Sequence, residues 1–184
     1  MKKFEESRCW NRGDKTASYY EKRIIGTKEK PQKHAKLMKV IHPEDMPWEE
    51  CRHGKLKHTV NDEMGAVSQT MTAYIQEIPP DSNTGKHRHM AEEMVFVLEG
   101  RGYDLHWDVE LKLTDRYEWV VDEEPKRFDW EAGDLIAIPV NTVHQHFNSD
   151  PEKSARILSA TNNVYKMLDC DDLEQIENAP EYKE

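Results

Sequence analysis

The sequence has few of the residues that mark disulfide-bonded, membrane or secreted proteins. Its three cysteines, Cys9, Cys51 and Cys170, are widely separated and lie outside any CxxC arrangement. This usage predicts free thiols in a reducing, cytoplasmic compartment. No apolar run approaches the length of a membrane span, and residues 1–12 lack the apolar core of a signal peptide. We therefore expect a cytoplasmic protein without a membrane partner.

Charges of opposite sign separate along the chain. Residues 1–40 hold 12 Lys and Arg against 5 Asp and Glu, a balance of +7, whereas the remaining residues have a balance of −17. A basic arm can attract nucleic acid, but the acidic remainder would repel phosphate, and the sequence has no nucleic-acid-binding motif. We therefore expect no nucleic-acid partner. The arm is predicted to pack on its own acidic body or on a partner subunit, or to remain solvated.

Short segments rich in β-branched and aromatic residues dominate the middle of the chain. The predicted strands cover residues 66–78, 93–99, 103–107, 109–113, 116–121, 134–138, 143–147 and 156–160. Many short strands separated by Gly, Pro, Asn and Asp turns are typical of a sandwich or a barrel. The sequence thus predicts an all-β domain.

Three regions follow from this pattern. Residues 1–64 form a predicted N-terminal arm, in which a helix begins at Ser18 and ends at Ile25, before Gly26, and a short strand covers 37–41. Residues 65–160 form the barrel. Residues 161–184 form an acidic tail that is predicted to be a short helix or a frayed coil.

The stretch His87-Arg88-His89 contains the first candidate metal ligands of this chain. Two imidazoles spaced i, i+2 on a strand point to the same face, and Glu93 follows closely, with His144 on a distant strand. Three imidazoles and one carboxylate suit Fe(II), Mn(II), Ni(II) or Zn(II) and leave positions open for water or substrate. The adjacent Glu92 competes with Glu93, and strand alternation favours Glu93 on the face of the imidazoles.

Two segments that contain these residues resemble the paired motifs of the cupin superfamily. In HRHMAEEMVFVLEG, residues 87–100, the matching positions are His87, His89, Glu93 and Gly100. In GDLIAIPVNTVHQHFN, residues 133–148, they are Gly133, Pro139, His144 and Asn148. Asn141 stands where the family has Gly, and Asn is the next most tolerant residue of a positive φ; Asp81 stands at another Gly position. The resemblance implies a double-stranded β-helix, a jelly-roll barrel, with His87, His89, Glu93 and His144 binding a metal in its lumen.

The second motif also resembles gentisate 1,2-dioxygenase and related ring-cleaving cupins, in the run His144-Gln145-His146-Phe147-Asn148. Those enzymes bind Fe(II) through three His and generally lack the motif Glu, and they usually contain two barrels. This resemblance implies Fe(II) as the favoured metal, with Mn(II), Ni(II) or Zn(II) as alternatives.

Two further residues are predicted to be catalytic. His146 lies two positions after His144, so that it should face the lumen and move protons near the metal, or serve only for packing. Arg156 would pair with a substrate carboxylate. Arg88 should point outward into a salt bridge. Further candidates for the pocket lining are Tyr74, Gln76, Tyr103, Trp107 and Trp119.

Three functions remain open from the sequence. The favoured one is a non-haem Fe(II) dioxygenase that acts on a small aromatic or carboxylated substrate. The second is a non-redox isomerase, decarboxylase or lyase of a small oxo-acid, in which the metal polarises a carbonyl. The third is a barrel that binds a metal and a small ligand without catalysis. A homodimer is expected, because the arm is long enough to wrap a neighbour and the edges of an open jelly roll need covering.

Overall fold

The computed structural model describes residues 14–68 and 70–184, in which β-strand is the most abundant regular structure. The strands are β1 (Trp48–Cys51), β2 (Gly54–Val60), β3 (Met71–Ile78), β4 (Lys86–Arg88), β5 (Glu93–Glu99), β6 (Arg101–Trp107), β7 (Val109–Leu113), β8 (Tyr117–Val121), β9 (Lys126–Glu131), β10 (Leu135–Ile138), β11 (Val143–Asn148), β12 (Ala155–Asn162) and β13 (Glu174–Glu177). The helices are α1 (Tyr19–Ala35) and α2 (Val164–Met167), with a 3-10 turn at Pro43–Asp45. The chain divides after Leu37 into two compact units, of which the first contains α1 and the second all of these strands.

Two large antiparallel sheets and a two-stranded one, β7-β8, are found in the second unit. One has the strand order β1-β2-β3-β12-β5-β10, and the other has the order β13-β4-β11-β6-β9. Strands far apart in sequence are neighbours, because β3 pairs with β12 and β4 pairs with β11. Such long-range antiparallel pairing is that of a jelly roll. The predicted fold class, an all-β jelly-roll barrel, is confirmed.

The apolar core lies between the two sheets. On β5, Val95 and Val97 are fully buried. Met94, which precedes Val95, and Phe96, which lies between the two valines, are exposed. This alternation follows from the two-residue period of a strand. Other strands add to the same cluster, which includes Ile78, Trp130, Ile138, Ala155 and Ile157. Burying a large aliphatic side chain contributes about 1.5–3 kcal/mol, so this cluster fixes the strands that carry the polar site.

Two tight turns adopt the backbone conformation that glycine favours, although neither contains glycine. Asn141 has a φ of 62° and Asp81 a φ of 51°, and both residue types tolerate the left-handed region better than most. The prediction of a positive φ at Asn141 is confirmed. The N–H of Asn141 donates to the carbonyl of His89 at 2.9 Å, so this turn positions the start of β11 beside the His-containing segment.

The helix of the arm is longer than the sequence predicts. It begins at Tyr19 and continues through Gly26 and Pro31 to Ala35. Gly lowers helix propensity by only about 1 kcal/mol, and a proline removes one hydrogen bond without forcing the helix to end. The prediction of a strand at residues 37–41 is wrong, because Met38 forms only an isolated β-bridge with Ala66.

Strands on both sides of the predicted barrel range 65–160 belong to the sheets. β1 and β2 extend the six-stranded sheet, and β13 from the tail pairs with β4. The sequence did not predict β9, because its segment Lys126–Glu131 carries four charged residues among six. The strands outside residues 65–160 and the unpredicted β9 are both stabilised by pairing with distant strands, which does not require apolar periodicity within the strand itself.

The remaining predictions on partners and compartment stay predictions. No helix in the described ranges combines the length and the apolar character needed to cross a membrane. Cys51 and Cys170 are free thiols, as predicted, and Cys9 lies outside the described residues. The cytoplasmic location and the homodimer are untested by a single chain.

Candidate metal centre

The four residues predicted as metal ligands lie together inside the barrel. His87 is on β4, directly opposite His144 on β11 in the strand register. His89 follows β4, and Glu93 is the first residue of β5. All four are buried, and each offers a donor atom within 4.8 Å of the others. This spread is close to the roughly 4 Å between opposite donors of an ion with bonds of about 2.1 Å.

Backbone carbonyls orient two of the imidazoles. The Nδ1 atom of His89 lies 2.9 Å from the carbonyl of Ala91, and that of His144 lies 2.9 Å from the carbonyl of Thr142. A carbonyl can only accept, so both Nδ1 atoms carry a proton, and in the neutral imidazoles the Nε2 atoms that face Glu93 have the free lone pair. Such a contact is usual for a metal-binding His. The donor set therefore fits a divalent transition ion.

The carboxylate of Glu93 completes the cluster. Its Oε2 lies 3.0 Å from Nε2 of His89 and 3.2 Å from Nε2 of His144. Its Oε1 accepts a hydrogen bond from the hydroxyl of Ser159. Glu92 is exposed, whereas only 1% of Glu93 is exposed. Of the two neighbouring glutamates, the structure thus places Glu93 with the imidazoles.

Burial and mutual contacts set the charge of the cluster. Burial raises the pKa of Glu93, but the contacts with His144 and His89 outweigh it and hold that pKa well below its usual value. Burial and the neighbouring imidazoles lower the pKa of His87, and burial lowers that of His144. For His89, burial lowers the pKa, but Glu93 outweighs this and raises it. An ionised carboxylate beside neutral His87 and His144 is the protonation state that metal binding requires.

A cavity of about 480 Å³ opens beside this cluster. Its wall includes His87 and His89 from the metal set and Tyr74 from the predicted lining. The rest of the wall is largely apolar surface, contributed by the β1–β2 turn, β3, the end of β12 and the tail residues 171–175. A cavity of this size suits a small organic ligand.

His146 is buried and belongs to a second polar cluster. Its Nδ1 is 2.8 Å from Oδ1 of Asp104, which also accepts a hydrogen bond from Nε1 of Trp130 at 2.8 Å. The other carboxylate oxygen lies 3.4 Å from Nε2 of His106. The ring centroid of His146 is 5.7 Å from that of His144. The structure therefore places His146 beside the metal cluster, and its catalytic role stays a prediction.

The side chain of Arg156 does not lie with the four candidate metal ligands. Its side chain is 48% exposed, and its guanidinium lies 3.4 Å from Glu77 and 3.7 Å from Glu99. It follows Ala155 and precedes Ile157 on β12, both of which face the core, so strand alternation directs Arg156 outward. The pairing with a substrate carboxylate that the sequence predicts has no support from this position.

Arg88 forms the predicted salt bridges, although it is buried. Its guanidinium binds Asp172 at 2.8 Å and Glu174 at 2.7 Å, and it donates to Oδ1 of Asn141 at 2.8 Å. Through these contacts the tail strand β13 is fixed along β4. The tail therefore forms part of the cavity wall because Arg88 holds it there.

The other predicted lining residues lie mostly elsewhere. Gln76 is buried and donates to the carbonyl of His53 at 2.8 Å. Tyr103 stacks on Phe147, Trp107 is buried below Lys86, and Trp119 is 41% exposed on β8. Large aromatic side chains in a barrel serve packing more often than binding.

Three polar residues of the site were missed from the sequence: His53, Asp104 and Ser159. Asp104 and His106 alternate on β6, which pairs with β11, so the i, i+2 rule applied to β6 would have found them. His53 lies in the short β1–β2 turn, and Ser159 lies within the apolar strand β12. Neither has a local sequence signal.

The chain matches the family model described as auxin binding protein over residues 31–179. The chain belongs to the auxin-binding protein family. Auxin-binding protein T85 from Nicotiana tabacum is 30% identical to it over 117 residues, which cover 62% of this chain and 58% of that protein. The chain thus spans somewhat over half the length of this curated relative.

Solved structures show the same fold as this auxin-binding protein family member. The oxalate decarboxylase of Lactobacillus farciminis, in complex with formate, has a TM-score of 0.50 and 21% identity, covering 75% of this chain and 34% of that one. A vicilin from Solanum lycopersicum has a TM-score of 0.51 and 15% identity, covering 67% of this chain and 32% of that one. These likenesses show the fold alone, and the narrower resemblance to gentisate 1,2-dioxygenase is not shown.

Proposed function

We propose that this protein binds a small aromatic carboxylic acid in a metal-dependent way. The observation that carries the proposal is the position of the buried cluster: His87 and His89 are both part of the wall of the 480 Å³ cavity. A divalent ion held by the four residues would supply the positive charge that a carboxylate needs in a largely apolar cavity. The apolar wall would then cover the ring of the ligand.

The family assignment supports a ligand of this class. The family is named for binding auxins, which are small aromatic carboxylic acids. Two basic side chains, Arg52 and Lys166, lie in the cavity wall, but each is paired with a carboxylate, Glu184 at 3.8 Å and Asp62 at 3.3 Å, and Asp171 lies in the wall as well. The positive charge that would hold an anionic ligand is therefore mainly that of the bound ion.

The residues of this chain each have a part in the proposed binding. His89 and His144 are held by backbone carbonyls with their Nε2 atoms turned to Glu93. Ser159 holds one oxygen of Glu93 and leaves the other at the imidazoles. Leu56 and Ala91 would exclude water from the ring of the ligand.

Calorimetric titration of phenylacetate and indole-3-acetate into metal-free and metal-loaded protein tests the proposal. Zn(II), Mn(II) and anaerobic Fe(II) are compared. We expect binding only to a loaded form, loss of binding in His144→Ala, and no change in His42→Ala, a matched variant of an exposed His. Equal binding to the metal-free protein would overturn the proposal.

A second candidate is the Fe(II) dioxygenase favoured from the sequence. One observation favours an enzyme over a passive binder: His146 is buried next to His144, and its Nε2 is without a hydrogen-bond partner in the described part of the chain. An imidazole there can exchange a proton with a bound molecule. Oxygen uptake that matches the loss of an aromatic acid, in iron-loaded protein only, would support this candidate. Turnover without oxygen would favour a non-redox isomerase, decarboxylase or lyase.

A further inference from the structure

The β7–β8 hairpin exposes an apolar face. Among residues 14–68 and 70–184, its two strands pair only with each other. The cross-strand pairs on this face are all apolar: Val109 with Val121, Leu111 with Trp119, and Leu113 with Tyr117. Five of these six side chains are exposed, from 38% at Val121 to 74% at Tyr117. A two-stranded sheet is stable in water only when further strands or a helix pack on it, so we expect a partner on this face.

Helix α1 is a second element with an exposed apolar side. Tyr20, Ile24 and Pro31 recur at intervals of four and seven residues, so they lie on one side of the helix. Tyr20 is 74% exposed, and no residue of α1 is buried. A helix gains most of its stability in a protein by packing such a side against another element. In the single chain, both α1 and the hairpin therefore present apolar surface to solvent.

The two elements have charges of opposite sign. The hairpin segment, residues 108–124, holds seven Asp and Glu against two Lys and Arg, a balance of −5. α1 holds five Lys and Arg against two Glu, a balance of +3. In the helical period, Arg23 and Lys28 lie at the two edges of its apolar side. The opposite signs favour contact between a helix and a hairpin, whereas two hairpins, or a hairpin and an anionic membrane surface, would repel each other.

We propose that α1 of a second copy of this chain packs across the apolar face of the β7–β8 hairpin, and that the two copies exchange helices in this way. The lengths match, because 17 residues of helix span about 26 Å and five residues of strand span about 17 Å. A fully covered aromatic side chain buries about 150–250 Å², so the hairpin face, with two aromatic and four aliphatic side chains, offers on the order of 400 Å² per contact. An exchange doubles this to about 800 Å² per chain, the size of a standard stable interface.

Charge reversal in the full-length chain tests the exchange. The helix variant, Arg23→Glu with Lys28→Glu, changes the balance of α1 from +3 to −1. The hairpin variant, Glu110→Lys with Glu123→Lys and Glu124→Lys, changes the balance of the hairpin segment from −5 to +1. In a homodimer of either variant, helix and hairpin then have charges of the same sign, whereas in a mixture every helix meets a hairpin of opposite sign. We expect analytical ultracentrifugation to show a wild-type dimer, self-association at least about tenfold weaker in each variant alone, and heterodimers after mixing.

Single substitutions locate the contact. Tyr117→Ser removes the most exposed side chain of the hairpin face and should weaken the dimer at least about tenfold. Leu135→Ser, on β10 and 59% exposed, is the matched control and should leave the dimer unchanged. Heterodimers in the mixture would also show that both charge variants are folded.

Three results would each overturn the proposal. The wild type could sediment as a monomer at every concentration, or Tyr117→Ser could dimerise as strongly as the wild type. The mixed charge variants could also form no heterodimer, which is the result expected if α1 packs on the hairpin of its own chain.

Discussion

Asp104 is the residue whose replacement tests the polar interior most sharply. It is completely buried on β6 and accepts hydrogen bonds from Trp130 and His146 at 2.8 Å each, with His106 at 3.4 Å. Asp104→Asn keeps the shape of the side chain and removes its charge. Trp130 and His146 already share Oδ1, so the amide oxygen can serve both as a neutral acceptor, whereas the new amide group faces Nε2 of His106.

The expected cost follows from these contacts. A hydrogen bond to a charged group is worth about 1.5–3 kcal/mol, and a buried donor that loses its partner costs about 1–3 kcal/mol. Both short hydrogen bonds can survive on the amide oxygen, but each loses the acceptor charge that strengthens it by about 1–1.5 kcal/mol. We therefore expect Asp104→Asn to lower the free energy of unfolding by about 2–4 kcal/mol at pH 7.

The effect should depend on pH in a defined direction. Burial raises the pKa of Asp104, but His146, His106 and Trp130 outweigh it and hold that pKa well below the ordinary value of 3.8. The stabilisation is thus complete above about pH 4 and is lost as pH falls through the lower pKa of the folded state. The difference between wild type and Asp104→Asn should shrink below pH 4.

Urea unfolding of metal-free protein, followed by tryptophan fluorescence, measures this difference. The matched control is Asp129→Asn, which removes an exposed carboxylate on β9 that pairs with exposed Arg127 and should leave the midpoint unchanged. If Asp104→Asn unfolds at the same urea concentration as Asp129→Asn, the buried network has no energetic role and the reasoning is refuted.

Three further predictions concern the tail, the carboxylate and a close backbone approach. Arg88→Ala should release β13, because Asp172 and Glu174 lose their partner, and limited proteolysis should cleave the tail at least about threefold faster; unchanged cleavage would show that the strand pairing suffices. Ser159→Ala should weaken Zn(II) binding by about 10-fold or more without a large loss of stability, as measured by calorimetry, since Glu93 loses its orienting hydroxyl; unaltered affinity would contradict this. Gly102→Ala should destabilise the barrel by about 3 kcal/mol or more, because the added Cβ would lie 1.9 Å from the carbonyl oxygen of Phe147. The control is Gly26→Ala on α1, where the added Cβ meets no atom within 4 Å. This control should raise thermal stability or leave it unchanged.

The fold and the metal set were predictable because both have local signatures. Alternation along β5 separates Glu93 from Glu92, and the spacing of His87 and His89 is that of one strand face. Asn141 takes the left-handed turn that its place in the motif requires. These features depend on residues close together in sequence, which is where pattern reasoning is strong.

The rest depended on contacts between distant segments. His53 comes to His87 because β2 pairs with β3 and because the carbonyl of His53, in the β1–β2 turn, accepts a hydrogen bond from the N–H of Gly85. β13 pairs with β4 over a sequence separation of more than 80 residues. Arg156 was predicted to reach the substrate because the sequence alone does not give the register of β12, which determines the face to which its side chain points. No local periodicity encodes such pairings.

The stoichiometry of bound metal tests the central claim most directly. Metal-free protein is incubated with Zn(II), Mn(II) or anaerobic Fe(II), dialysed, and analysed for metal by mass spectrometry. We predict one ion per chain in wild type and in His42→Ala, and less than about a tenth of an ion in the double variant His87→Ala/His89→Ala, because one imidazole and one carboxylate are too few ligands to retain a divalent ion through dialysis. Equal metal content in wild type and in this double variant, or none in wild type with any of the three ions, would contradict the account.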